Sequence, residues 1–164
     1  TLFLLVCTHS LAENKVVILD MKYVLNFSKA GKGAQEYLKK TFEDNNKKFT
    51  KQENNLKDEE QDLLKQKTVL SKEDYKKKSD ELRNKVMKYQ KERRETFEKI
   101  SNQRTKAREE LINKINPILN SYISENDISL VIDKKFVLGG NTSLDITNII
   151  IEKLDKEVPS LKLN

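Results

Sequence analysis

The chain has 164 residues, of which 35% are charged and 36% apolar, with four Gly, two Pro and no Trp. This composition fits long, surface-rich helices and excludes a thick globular core, with disorder as the competing reading. The net charge of +6 is small beside 32 basic and 26 acidic side chains, so hydrophobic spacing is the stronger guide.

The opening stretch, TLFLLVCTHSLAENK, sets the apolar run Leu2 to Val6 ahead of the small residues Ser10 and Ala12. That order fits a signal-peptide remnant over residues 1–12, cut before Glu13, on an exported protein of the periplasm. A buried strand at Leu2 to Val6 is the plain alternative. Lipid attachment at Cys7 would need a small residue before it, and Val6 is not small. No other segment approaches the roughly 20 apolar residues of a membrane span.

Cys7 and His9 are the only Cys and His. Cutting after Ala12 would leave no thiol nucleophile, no disulfide, no His base and no ordinary zinc site. No GxxxxGK[ST] phosphate loop or GxGxxG turn occurs. Carboxylates are abundant, but nearly all sit among lysines at helical spacing, as on a solvated helix face. The expectation is a protein that is not an enzyme, with no catalytic residue, no metal and no cofactor.

KVVILDMKYVL follows. Val16, Val17, Ile18 and Leu19 form a continuous apolar run, as in a strand of about residues 15–20 covered on both faces. From Gly33 the period changes. Phe42, Phe49, Leu56, Leu63 and Leu70 recur every seventh residue, while Asn45, Gln52, Glu59 and Gln66 hold the companion positions. This is a single-file heptad seam, thinner than a full coiled coil. SKED then signals a turn near 68–71, with Ser71 as N-cap and Asp74 in a variant capping box. A second helix carries Tyr75, Leu82, Val86, Tyr89, Phe97, Ile100, Ala107, Leu111, Ile115, Ile118 and Tyr122, and Pro117 predicts a kink or break in it. The two helices read as an antiparallel hairpin arm over 33–114, with Val69 and Leu70 at its tip. Burial scales with apolar area, so the thinly packed arm should be soft and its foot firmer.

Charge is uneven along the chain. Residues 31–67 are net +1, residues 72–114 are net +6 and residues 115–164 are net −2. Arg83, Lys85, Lys88, Lys91, Arg93, Arg94, Lys99, Arg104, Lys106 and Arg108 supply most of the excess. A solvated helix face with i,i+4 pairs is one reading, and a surface for acidic partners is the other. Nucleic acid is not expected: an exported protein rarely meets it, and no stacking aromatics interleave with the basic run.

Apolar, β-branched residues return in ENDISLVIDKKFVLGGN. Ile128, Leu130 and Ile132 alternate along a strand of about 128–133, and Phe136 to Leu138 reads as a short return strand. Asp145 would cap a last helix, about 145–157, with Ile146, Ile149, Ile150 and Leu154 on one side and Val158-Pro159 ending it. The fold class is α+β: a β-rich body from residues 13–32 and 115–164 carrying a long helical hairpin. Three short strands and one helix leave sheet faces and edges open, which closed oligomerisation would cover. The expected oligomer core is Val16, Val17, Ile18, Leu19, Ile128, Leu130, Ile132, Phe136 and Leu138.

NDISLVIDKKFVLGGNTSLDITNIIIEKLDK resembles the C-terminal signature of the OmpH-like (Skp) periplasmic chaperones. In that signature a strand of D-[IL]-x-L-V-[IV]-D type is followed by a short strand, and D-I-T opens the final helix. The matching residues are Asp127 to Asp133 and Asp145-Ile146-Thr147. KVVILDMKYVLNFSKAGK resembles the family's first strand and the short helix that leads into the arm, so the resemblance spans residues 15–156. It implies a jellyfish-like homotrimer with a shared β core and helical tentacles, in the periplasm of a Gram-negative bacterium. It also implies an ATP-independent holdase that cages unfolded outer-membrane β-barrel proteins between its arms. The basic arm surface would help hold clients and meet anionic lipid or lipopolysaccharide, though no lipopolysaccharide site can be placed on particular residues. The alternative is a coiled-coil scaffold or a basic helical protein binding nucleic acid or a lipid surface.

Overall fold

A computed structural model describes residues 14–163, so the expected signal peptide with Cys7 and His9 lies outside the described residues. The elements run β1 (Lys15–Leu19), α1 (Met21–Phe27), α2 (Lys29–Lys65), α3 (Lys72–Glu125), β2 (Ile128–Asp133) and α4 (Thr147–Glu157). Single 3₁₀ turns lie at Gln66–Thr68, Lys134–Phe136 and Thr142–Leu144. The described chain divides into two compact units, one of residues 14–29 and 111–159, the other of residues 30–110 and 160–163.

In the first unit, β1 and β2 pair in parallel, with Val16 opposite Leu130, Val17 opposite Val131 and Ile18 opposite Ile132. A parallel pair needs a long crossover, and here both long helices lie between the strands in sequence. The N–H of Ile146 donates to the Ile18 carbonyl at 2.9 Å, which adds an isolated bridge between Ile18 and Asp145. The core of this unit is aliphatic. Val17, Leu19, Val24, Ile115, Ile150 and Leu154 are each at most 3% exposed. Asp20 accepts from the Tyr23 N–H and caps α1, while its own N–H donates to the buried Thr147 hydroxyl. The Lys29 N–H donates to Asp155 of α4 at 2.7 Å.

Three expectations change. First, the return strand at 136–138 does not form, and the sheet has two strands. The polar gap before it acts as a turn: Asp133 accepts from the Lys135 N–H, and the Val137 N–H closes onto the Lys134 carbonyl. Those local bonds use the backbone groups that a hairpin needs. Second, of the kink or break expected at Pro117, the break does not occur: α3 continues through it. Proline gives up one helical hydrogen bond, and the buried neighbours Ile115 and Ile118 hold the flanking turns. The helix ends instead at Glu125, and Asp127 in the turn beyond it has a left-handed φ of 51°; an aspartate tolerates that region better than a bulky residue does. Third, α4 starts two residues later than expected, with Ile146 as its N-cap. Asp145 still accepts from the Thr147 N–H at 2.9 Å.

In the second unit, α2 is 37 residues long, about 55 Å at 1.5 Å per residue. Ser71 caps α3 as expected: its hydroxyl accepts from the Asp74 N–H at 3.0 Å and donates to the Asp74 carboxylate at 2.8 Å. The reciprocal bond therefore goes to the hydroxyl, because the shorter aspartate replaces the usual glutamate.

Candidate functional site

The hairpin register follows from side-chain pairs that step down α2 as they step up α3. Phe42 meets Phe97 at 5.2 Å between ring centroids, and Phe49 meets Phe97 at 5.8 Å and Tyr89 at 6.0 Å. The Tyr89 hydroxyl donates to Glu53 at 3.2 Å, and Lys85 reaches Glu59 at 2.6 Å. Lys78 donates to Gln66 at 2.8 Å, next to the turn. The heptad seam is therefore real, but its burial is graded. Phe49 is 1% exposed and Leu63 9%, Leu56 and Leu70 are half-buried, and Phe42 is 46% exposed.

The sequence reading missed the start of the seam. Ala30, Ala34 and Leu38 are all buried, and their steps of four lead straight to Phe42. The reading also missed Leu64 and Met87, 57% and 61% exposed. Each sits beside a seam residue, at a position where a two-residue apolar step broadens the single file. Together with Leu56, Leu63, Leu82 and Val86 they line an open cavity of about 560 Å³ between the helices, rimmed by Lys57, Glu60 and Arg83. At the tip, Val69 is 82% exposed and Leu70 half-buried.

All ten basic residues singled out on α3 are exposed. Four of them are paired: Arg83 with Asp80, Lys85 with Glu59, Lys88 with Glu92 and Lys91 with Glu95. Arg93 lies over the Phe97 ring at 5.6 Å. Among the described residues, Arg94, Lys99, Arg104, Lys106 and Arg108 form no salt bridge within 4.0 Å. They are the cations most available to an anionic partner. The hydrogen bond from Lys57 and its charge draw the Glu53 carboxyl below its ordinary pKa, and burial pushes the Tyr89 phenol up. Lys57 lies one turn from Glu53 on the same helix, and the cross-helix bond between Tyr89 and Glu53 adds to both shifts.

The expected oligomer core falls into two groups. Val17, Ile18, Leu19 and Ile128 are buried inside their own chain, and Val16 and Ile132 are half-buried. Leu130 is 52% exposed, Phe136 74%, and Leu138 fully so. Tyr23 and Leu144 are further exposed apolar groups of the same unit. Among the described residues, no group of His, Cys, Asp and Glu could hold a metal, and no helix is long and apolar enough to cross a membrane.

No curated protein matches the sequence. A solved structure from Caulobacter crescentus CB15, described as an OmpH-like outer membrane chaperone, shares the fold with a TM-score of 0.85. At 21% identity, the match covers 96% of this chain and 93% of that one. Residues 15–154 match the family model described as outer membrane protein (OmpH-like). That match takes in both strands, α1, α2, α3 and most of α4, and the chain belongs to the OmpH-like family.

Proposed function

We propose that this protein is a periplasmic chaperone, an ATP-independent holdase that keeps unfolded outer-membrane β-barrel proteins soluble. One observation carries the reading: the helical hairpin presents exposed apolar side chains (Leu64, Val69 and Met87) together with exposed cations that have no salt-bridge partner. An unfolded barrel strand alternates apolar and polar residues. Many weak apolar and charge contacts can hold such a chain without a fixed motif, and release needs no nucleotide, only a more stable destination such as the membrane. Family membership supports this reading, and so does the description of the Caulobacter crescentus protein as an outer membrane chaperone.

The active form in this proposal is a homotrimer. Leu130, Phe136 and Leu138 leave an apolar surface on the β-bearing unit that a second and third copy would cover. Anionic lipid or lipopolysaccharide is a secondary partner of the basic α3 face. The protein performs no catalysis and carries no cofactor in this role.

The test is aggregation of an urea-unfolded outer-membrane barrel protein on dilution, followed by light scattering without ATP. Stoichiometric trimer should suppress the scattering. Unchanged aggregation at stoichiometric excess overturns the proposal, and equal protection of an unfolded cytosolic enzyme would replace the barrel-specific reading with a general one.

A further inference from the structure

Among the described residues, the Oε1 atom of Gln52 is the buried side-chain oxygen with no protein hydrogen-bond partner. It lies on the α2 seam, one turn from Phe49. An orphaned buried oxygen penalises the closed state and recovers its hydration when the site opens. The seam differs on its two sides. Toward Ala30 the next side chains are Phe49 and Phe42, which meet Phe97, with Phe49 also against Tyr89. Toward the tip the helices enclose the open cavity of about 560 Å³, and its lining residues Leu56, Leu82 and Val86 are only half-buried.

We propose that Gln52 marks a built-in opening point where the two helices of the hairpin part. The tip-ward segment separates while the aromatic segment stays closed. Less apolar burial resists separation beyond Gln52, where Leu63 is the buried side chain of α2, and the polar links there, Lys85 to Glu59 and Lys78 to Gln66, are exposed and hold weakly. The part of α2 beyond Gln52, residues 53–65, is 13 residues long, which is marginal for an isolated helix in water. Parting therefore couples to unwinding, and it uncovers Leu56, Leu63, Leu82 and Val86. Opening within one hairpin is distinct from bending of the hairpin as a whole, and it does not depend on what the protein binds.

Native-state hydrogen exchange on the full chain, read by peptide mass spectrometry, tests this. Amides of residues 53–65 and 72–86 should exchange at least tenfold faster than those of residues 38–49 and 97–107. Gln52→Leu should slow the tip-ward amides about tenfold, by removing an unpaired buried oxygen, and leave the other set within twofold. Gln52→Met gives the same reading if leucine packs poorly. Equal protection on both sides of Gln52, or tip-ward rates unchanged in both variants, overturns the proposal.

Discussion

Phe49 is 1% exposed and touches both Tyr89 and Phe97, while Leu64 and Met87 on the same hairpin stand in solvent. Truncation should therefore have opposite outcomes at these sites. Phe49→Ala removes a buried ring and should cost about 3 kcal/mol, whereas Leu64→Ser and Met87→Ser should stay within about 0.5 kcal/mol. Urea unfolding followed by far-ultraviolet circular dichroism measures both; a loss under about 1 kcal/mol for Phe49→Ala would show that the seam is not held there. A second residue-scale device lies at Asp145. Burial pushes its carboxyl up, but the hydrogen bond from Lys134 at 2.7 Å and those from Thr147 bring it below its ordinary value. A carboxyl lowered in the folded state stabilises above its unfolded pKa and loses that contribution as pH falls through the folded value. Lys134 is raised by its bond to Asp145, so its contribution is full below the ordinary lysine pKa and is lost as pH rises past the folded value. The pair is therefore silent across neutral pH. Lys134→Met should move the acid-unfolding midpoint to higher pH, and an unmoved midpoint would show that Lys134 does not hold the Asp145 carboxylate.

At the scale of elements, α3 separates structural charge from available charge. Arg83, Lys85, Lys88 and Lys91 spend their charge on neighbouring carboxylates, while Arg94, Arg104 and Lys106 do not. Neutralising Arg93, Arg94, Arg104 and Lys106 to glutamine should weaken capture of an unfolded barrel protein several-fold at 20 mM salt. It should have little effect at 500 mM, where screening shortens the reach of exposed charges to a few ångströms. Equal loss at both salts would assign the effect to packing. The same element shows how much could be read beforehand. The seven-residue period of Phe42, Phe49, Leu56 and Leu63 and the Ser71 cap located the hairpin and its turn, since helix periodicity and capping are local signals. The paired strands were also visible as β-branched runs, but their parallel direction was not, because it depends on partners more than a hundred residues apart. Phe136 to Leu138 misled for the reverse reason. Its apolar content suggested a strand, while Asp133, a turn-forming residue just upstream, had already committed the backbone to a local turn. The orphaned oxygen of Gln52 was out of reach too, since the sequence shows a polar residue at a seam position but not whether it finds a partner.

At the scale of the whole molecule, the two-stranded sheet puts a sharp requirement on assembly. A two-stranded sheet is marginal alone. Here it is held by α1, α4 and the end of α3, whose side chains fill the core with Val24, Ile115, Ile150 and Leu154. Those contacts use the buried set, Val17, Ile18, Leu19 and Ile128, and leave Leu130, Phe136 and Leu138 outside. The burial needed to fold one copy and the burial available to join copies therefore rest on different residues. This makes the trimer proposal separable from folding. Leu130→Glu with Phe136→Glu should leave the secondary structure of each chain intact, yet shift the light-scattering mass at micromolar concentration from three chains to one. Leu154→Glu, by contrast, should unfold the unit outright, because it buries an unpaired charge at a position that is 0% exposed. If the wild-type chain itself is a monomer at that concentration, the exposed residues do not serve assembly. If the double variant remains a trimer, the interface lies elsewhere on the chain. A trimer that dissociates while each chain stays folded would also separate two contributions to client holding. Residual capture by the monomer would measure what one hairpin binds alone, and its loss would show that holding requires several hairpins around one client.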